Sequence, residues 1–276
     1  WVITACENAE IANVCVVKGY RGEMLDEYIS ARSSRSEIVT VLQAEQLGTG
    51  HAVMQAEDFL KQYMDGNILV LNGDAPFIDA ETINSALAQH IENDSAVTVV
   101  TARIENPTGY GRVIRTDTGI AGIVEHKDCE PYQLAITEVN SGCYWFKTAE
   151  LLEVLGEIGN DNAQGEYYLT DCIELLIAKG RTADAYMSHN PNVVLGANDR
   201  RALLELNNAA RAEIIGKHLD NGIEFCCTDG VSVGNNGHYN PLGRNTARKY
   251  RDRRKLRYRL QLHNREHQSR QQREPQ

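Results

Sequence analysis

Asp74 follows the near-continuous apolar run 67–71, within Asn72-Gly73-Asp74-Ala75-Pro76. A carboxylate at the carboxyl end of a buried strand lies where open α/β sheets bind ligands, and its hard oxygen suits Mg2+ beside phosphates. The competing use of such an Asp is to cap the helix expected from Ala80. A second segment, Leu47-Gly48-Thr49-Gly50-His51-Ala52, joins a strand to a helix. Its glycines let a ligand approach the backbone, and Thr49 can cap the helix. The segment is neither a Walker A loop nor a G-x-G-x-x-G dinucleotide turn. Just upstream, the Gln43 carboxamide both donates and accepts, as a base edge requires. In Pro107-Thr108-Gly109-Tyr110-Gly111-Arg112, Gly111 could admit a sugar close to backbone, and Glu125 could accept hydrogen bonds from its hydroxyls. Asn140-Ser141-Gly142 and Gly196-Ala197-Asn198 add two asparagines of the kind that more often make turns or caps than hold ligands. Taken singly, each segment also fits plain loop geometry. His51 and His126 receive no catalytic role, and no nucleophile–base pair stands out.

The elements that must position these residues follow from hydrophobic period. Strands are predicted over 14–17, 38–42, 67–71, 96–104, 139–146 and 183–187. Helices are predicted over 23–29, 51–63, 80–91, 149–158, 166–179 and 199–219. The βαβα rhythm of the first hundred residues predicts a parallel sheet sandwiched by helices. The run 67–71 reads as a strand buried on both faces. Residues 107–127 break the rhythm and read as two strands joined by a turn at 116–119, an antiparallel insertion of the kind that lids a site. In the last helix Asp199 is the expected N-cap and Gly222 the expected stop.

Hydrophobic content of 42% and charged content of 24% are those of a globular protein. No apolar run is long enough to span a membrane. Seven cysteines without a C-x-x-C pair argue against a zinc site or a disulfide framework and point to reduced thiols in the cytoplasm. Residues 1–243 hold 16 basic and 35 acidic residues, a net of −19, which argues against nucleic acid as a partner. Residues 244–276 hold 12 basic and 3 acidic residues and show no hydrophobic period. They read as a disordered or non-native tail rather than as a nucleic-acid-binding arm.

Together QAEQLGTGHA, NGDAP, PTGYGRV, GIVEHKD, EVNSG, NAQGEYYLTD and GAND stand in the order and spacing of one family. Over about residues 1–235 the chain resembles the bacterial bifunctional UDP-N-acetylglucosamine pyrophosphorylase/glucosamine-1-phosphate N-acetyltransferases. The resemblance implies an α/β fold, a Rossmann-like nucleotidyltransferase sheet with helices on both faces and a small antiparallel insertion. It implies a uridylyltransferase domain over 1–198, a long linker helix over 199–220 and the start of a left-handed β-helix over 221–243. The implied reaction joins UTP and N-acetylglucosamine 1-phosphate into UDP-N-acetylglucosamine and pyrophosphate, for cell-wall and lipopolysaccharide precursors. Gln43, Gly48 and Thr49 match positions that hold uracil and ribose, and Asn72 and Gly73 line that site. Asp74 and Asn198 match the protein ligands of Mg2+. Gly111, Glu125 and Asn140 match contacts to the N-acetylglucosamine moiety. The family pattern opens with a strand, an L-A-A-G-x-G-T-R-M loop and a Lys. None of these occurs in residues 1–276, so the true start is expected to be missing. The acetyltransferase β-helix pattern breaks after about Gly234, so neither acetyl transfer nor the family's trimer is expected from these residues. Two alternatives stay open: a sugar-nucleotide-binding chain without turnover, and a transferase for another sugar 1-phosphate.

Overall fold

The structure is a computed structural model that describes residues 1–225, 228, 231–233 and 239–241, apart from 118 and 198. The chain divides into two units, Trp1–Asn198 and Asp199–Gln276.

The first unit begins with α1 (Val2–Asn8), β1 (Asn13–Lys18), α2 (Gly22–Ala31) and β2 (Glu37–Leu42). β1 and β2 pair in parallel as a two-stranded sheet. Next come α3 (Thr49–Met54), α4 (Glu57–Leu60), β3 (Asn67–Leu71), α5 (Ala80–Glu92) and β4 (Val97–Arg103). β5 (Arg112–Thr116) and β6 (Gly119–Val124) form the expected hairpin. The unit continues with β7 (Glu138–Lys147), α6 (Thr148–Leu155), α7 (Asp171–Ala178) and β8 (Ala183–Met187).

β7 organises the larger, six-stranded sheet. It runs antiparallel to β4 along one edge, and its other edge is shared by β3 and β5. β4 pairs in parallel with β8. The parallel sheet expected from the βα rhythm is therefore a mixed one, because a single long strand returns between β3 and β4. Alternation along β7 fixes the layers. Tyr144 and Phe146 face a core with Leu151 of α6 and Ile173 of α7. Cys143 and Trp145 face a second core with Ala5 of α1 and Ile83 of α5.

Three sequence expectations differ from the structure. The helix expected over 51–63 breaks after Met54, where Gln55 Nε2 donates to the His51 carbonyl at 3.1 Å and competes for an acceptor the helix would use. The helix expected from 166 starts only at Asp171, because residues 167–169 are bonded to the loop before α3. β3 is half-exposed rather than buried on both faces: it borders a cavity of about 850 Å3 that β1 lines from the other side.

In the second unit α8 (Arg200–Asp220) starts where expected, with Asp199 Oδ1 accepting from the Arg201 and Ala202 amides at 2.8 Å. Gly222, at φ +77°, ends it. β9 (Val231–Val233) pairs antiparallel with β10 (Tyr239–Pro241). About half of the 221–243 segment and all of the basic tail over 244–276 lie outside the described residues. No helix of the described residues is long and apolar enough to cross a membrane.

Candidate functional site

The end of β3 and the start of β5 meet the same edge of β7 at Asn140-Ser141-Gly142. The Asn72 amide donates to the Gly142 carbonyl at 2.9 Å, and the Asn140 amide donates to the Gly111 carbonyl at 3.0 Å. Three motifs that are far apart in sequence thus converge on one short piece of strand.

That piece is a bulge. Val99 of β4 faces Tyr144, while Thr101 faces Asn140, so two steps along β4 span four along β7. Gly142 makes this possible by adopting φ +73°. Asn72 packs so closely here that a Cβ on Gly142 would lie 2.6 Å from Asn72 Cγ. Asn140 Oδ1 accepts from the Gly142 amide at 3.0 Å, and its Nδ2 donates to the Tyr144 hydroxyl at 2.6 Å.

Glu125 stands across from Gly111: a Cβ on that glycine would lie 3.2 Å from Glu125 Oε1. Burial pushes the Glu125 carboxyl above its usual range, and neighbouring Asp128, Asp171 and Glu166 add to the rise. The buried Thr170 hydroxyl stands beside it and tempers that rise, without a hydrogen bond of ordinary length. Asp171, half-buried and next to Glu174 and Asp128, is pushed up to about 6.

Asp74 leaves the end of β3. The helix cap it could have formed belongs to Asp79, whose Oδ1 accepts from the Thr82 amide at 2.7 Å. No cation of the described residues pairs with the Asp74 carboxylate. The Ala197 amide donates to the Asp74 carbonyl at 3.3 Å, and a Cβ on Gly196 would lie 3.4 Å from Asp74 Oδ2. The 196–197 segment therefore reaches Asp74, while Asn198 itself lies outside the described residues.

The loop before α3 is held from behind by residues 167–169. The Tyr167 amide donates to the Leu47 carbonyl and the Gly50 amide to the Tyr167 carbonyl, both at 2.8 Å. The Leu169 amide donates to Thr49 Oγ1 at 3.1 Å. Gly48, at φ +112°, leaves no room for a side chain: a Cβ would lie 2.6 Å from the Tyr167 carbonyl oxygen. This contact links QAEQLGTGHA to NAQGEYYLTD. Gln43 Nε2 contacts the Gly48 carbonyl at 3.1 Å and His51 Nδ1 at 3.0 Å. The bond to the Gly48 carbonyl fixes the amide end, leaving the side-chain carbonyl oxygen as an acceptor. Thr49, Asn72 and Gly73 border the 850 Å3 cavity together with β1 and β3.

Sequence reasoning missed two residues here. Tyr144 and Asn140 would lie roughly 13 Å apart on a regular strand; the only hint of their contact is the glycine between them. Arg112 is 1% exposed and pairs with no acid among the described residues. It donates instead to the Tyr110 carbonyl and to His126 Nδ1, tying together the segments that carry Gly111 and Glu125.

A family model described as nucleotidyl transferase matches residues 1–191. The chain is similar to the bifunctional protein GlmU of Acetivibrio thermocellus, at 40% identity over 234 residues that make up 84% of this chain and 50% of that protein. Against the bifunctional protein GlmU of Latilactobacillus sakei the identity is 42% over 241 residues, 85% of this chain and 51% of that one. The chain spans about half the length of these curated relatives. Its fold resembles that of a UDP-glucose pyrophosphorylase solved with UDP-glucose, at TM-score 0.58 and 15% identity over 77% of this chain and 85% of the other. The fold and the family match over residues 1–191 agree, and the chain belongs to the nucleotidyl transferase family.

Proposed function

We propose that this chain is built to transfer the uridylyl group of UTP to N-acetylglucosamine 1-phosphate, giving UDP-N-acetylglucosamine and pyrophosphate. The observation that carries this reading is the convergence of Asn72-Gly73-Asp74, Gly111 and Asn140 at the β7 bulge, with Glu125 across from them. Glu125 and Asn140 offer acceptors and donors to the hydroxyl and acetamido groups of the sugar. The Gln43 carbonyl suits the imide N–H of uracil, with Gly48 and Thr49 beside it. The sugar phosphate attacks the α-phosphate directly, so alignment and charge neutralisation do the chemistry.

The donor set fits Mg2+. Asp74 presents a carboxylate without a cation partner among the described residues, and no cluster of three or more His, Cys, Asp or Glu gathers around it. A single protein carboxylate, completed by phosphate oxygens and water, is how Mg2+ is commonly bound beside nucleotides. Asp74 would hold the ion, with Asn198 its partner by resemblance, and the ion would screen the repulsion between two phosphates.

One observation favours a second reading, binding without turnover. The cavity beside Thr49, Asn72 and Gly73 is lined by Glu10 and mostly apolar residues, with no Lys or Arg among them. The lining itself offers a phosphate chain no Lys or Arg side chain.

Mixing the chain with UTP, N-acetylglucosamine 1-phosphate and Mg2+ and following pyrophosphate separates the readings. Release that falls at least a hundredfold in Asp74→Ala supports turnover. No release, with UDP-N-acetylglucosamine still bound in preference to UDP, supports the second reading. Absence of both overturns the site.

A further inference from the structure

Tyr144 is 3% exposed, with its ring against Phe146 at a centroid distance of 5.9 Å. Phenylalanine would fill the same space in that core. A phenol buried there loses water, and the loss is offset only if its hydroxyl finds a partner. The partner is Asn140 Nδ2 at 2.6 Å. On a regular strand these residues could not touch; the bulge at Gly142 shortens the strand between them and brings them together.

The consequence falls on Asn140. One end of its amide is fixed by the Gly142 amide and the other by the Tyr144 hydroxyl. The amide plane can then neither rotate nor flip, and one N–H and one carbonyl lone pair are left for a ligand. Without the hydroxyl, Nδ2 would lose its anchor and the amide would keep only one fixed end.

We propose that Tyr144 is a positioning residue: through its hydroxyl it holds the Asn140 amide in the single orientation that recognises the sugar part of a nucleotide sugar. This rests on the reading of the site as a uridine-diphospho-sugar pocket. Tyr144 itself touches no ligand. It acts from behind the pocket wall, in the core between β7 and helices α6 and α7.

The test is Tyr144→Phe in the whole chain, with Kd measured calorimetrically for UDP and for UDP-N-acetylglucosamine in Mg2+. The expected result is a loss of about tenfold for UDP-N-acetylglucosamine, the worth of one oriented hydrogen bond, with UDP unchanged. In an Asn140→Ala background the same substitution should have no further effect on either ligand. Unchanged sugar-nucleotide affinity overturns the proposal. So does an equal loss for both ligands, which would mark the hydroxyl as a general structural prop, and so does an additive effect in the double variant. An unmodified chain that binds the two ligands alike, or binds neither, overturns the proposed function itself and this inference with it.

Discussion

The two sides of the first unit differ in how firmly they are built. β7 is buried along most of its length, with strands on both edges and helices on both faces. β1 is half-exposed throughout, and among the described residues its only strand partner is β2. Gly111, Glu125 and Asn140, proposed to meet the sugar, sit on or against the first framework. Gln43, Gly48 and Thr49 follow β2; Gln43 is tied to the Gly48 carbonyl, and residues 167–169 hold Leu47, Thr49 and Gly50. Shape on the β7 side is therefore set by core packing, while on the β1–β2 side it depends on a few polar ties to residues 167–169. Rigid placement suits discrimination between sugars, and the looser side is where local opening should begin.

The largest effect should come from Gly142→Ala. The new methyl meets Asn72, and the residue must hold a left-handed conformation. We expect a loss of about 3 kcal/mol or more in urea unfolding, together with loss of nucleotide-sugar binding. A variant that keeps full stability would show that the bulge is soft, and the contrast between the two sides would fail.

Arg32→Ala probes the other side. Glu7 of α1 accepts from Ser34 Oγ and from Arg32, both at 2.5 Å, and from the Arg35 amide at 3.1 Å; these bonds hold its carboxyl down at about 2. They tie α1 to the connection between α2 and β2. A carboxyl whose folded pKa is depressed contributes stability that is present above its unfolded value near 4.5 and lost as pH falls toward 2. Arg32→Ala should cost about 2 kcal/mol at pH 7, and the difference from the unmodified chain should shrink below pH 4. Hydrogen exchange should quicken in β1 and β2 while β4 and β7 stay protected. Uniform quickening across both sheets would show that the two sides open as one.

The sequence made some of this arrangement legible and hid the rest for physical reasons. Strands and helices with clean periods, such as β8 and α5, were predicted within a residue or two of their observed ends. The position of Asp74 after a strand was readable, and so was the β5–β6 hairpin. The direction of β7 was not, because periodicity reports which face is buried and not which neighbour a strand pairs with. The pairing of residues 167–169 with the Gly48 loop was also hidden: Tyr167 and Tyr168 look like a helix start when the backbone bonds of Tyr167 to Leu47 and Gly50 are unknown. The bond between Asn140 and Tyr144 depends on a bulge, which sequence marks only by a glycine in a strand.

The smallest effect tests whether the firm side carries a cost for its geometry. Asp171 opens α7 beside Glu174 and Asp128, and burial with these neighbours raises it to about 6. A carboxyl whose folded pKa lies above its unfolded value of 3.8 contributes stability that is fully present below that value and lost as pH rises through about 6. Asp171→Asn removes the charge, so it should stabilise the chain by about 1 kcal/mol at pH 8, after allowance for partial exposure, and by almost nothing at about pH 3. Asp171 is also one of the charges that raise Glu125, so the Glu125 carboxyl should titrate lower in the variant when followed by NMR. A gain of equal size at both pH values would place the cost in packing rather than in charge. An unmoved Glu125 would show that the Asp171 charge does not reach it and leave burial as the cause of its raised pKa.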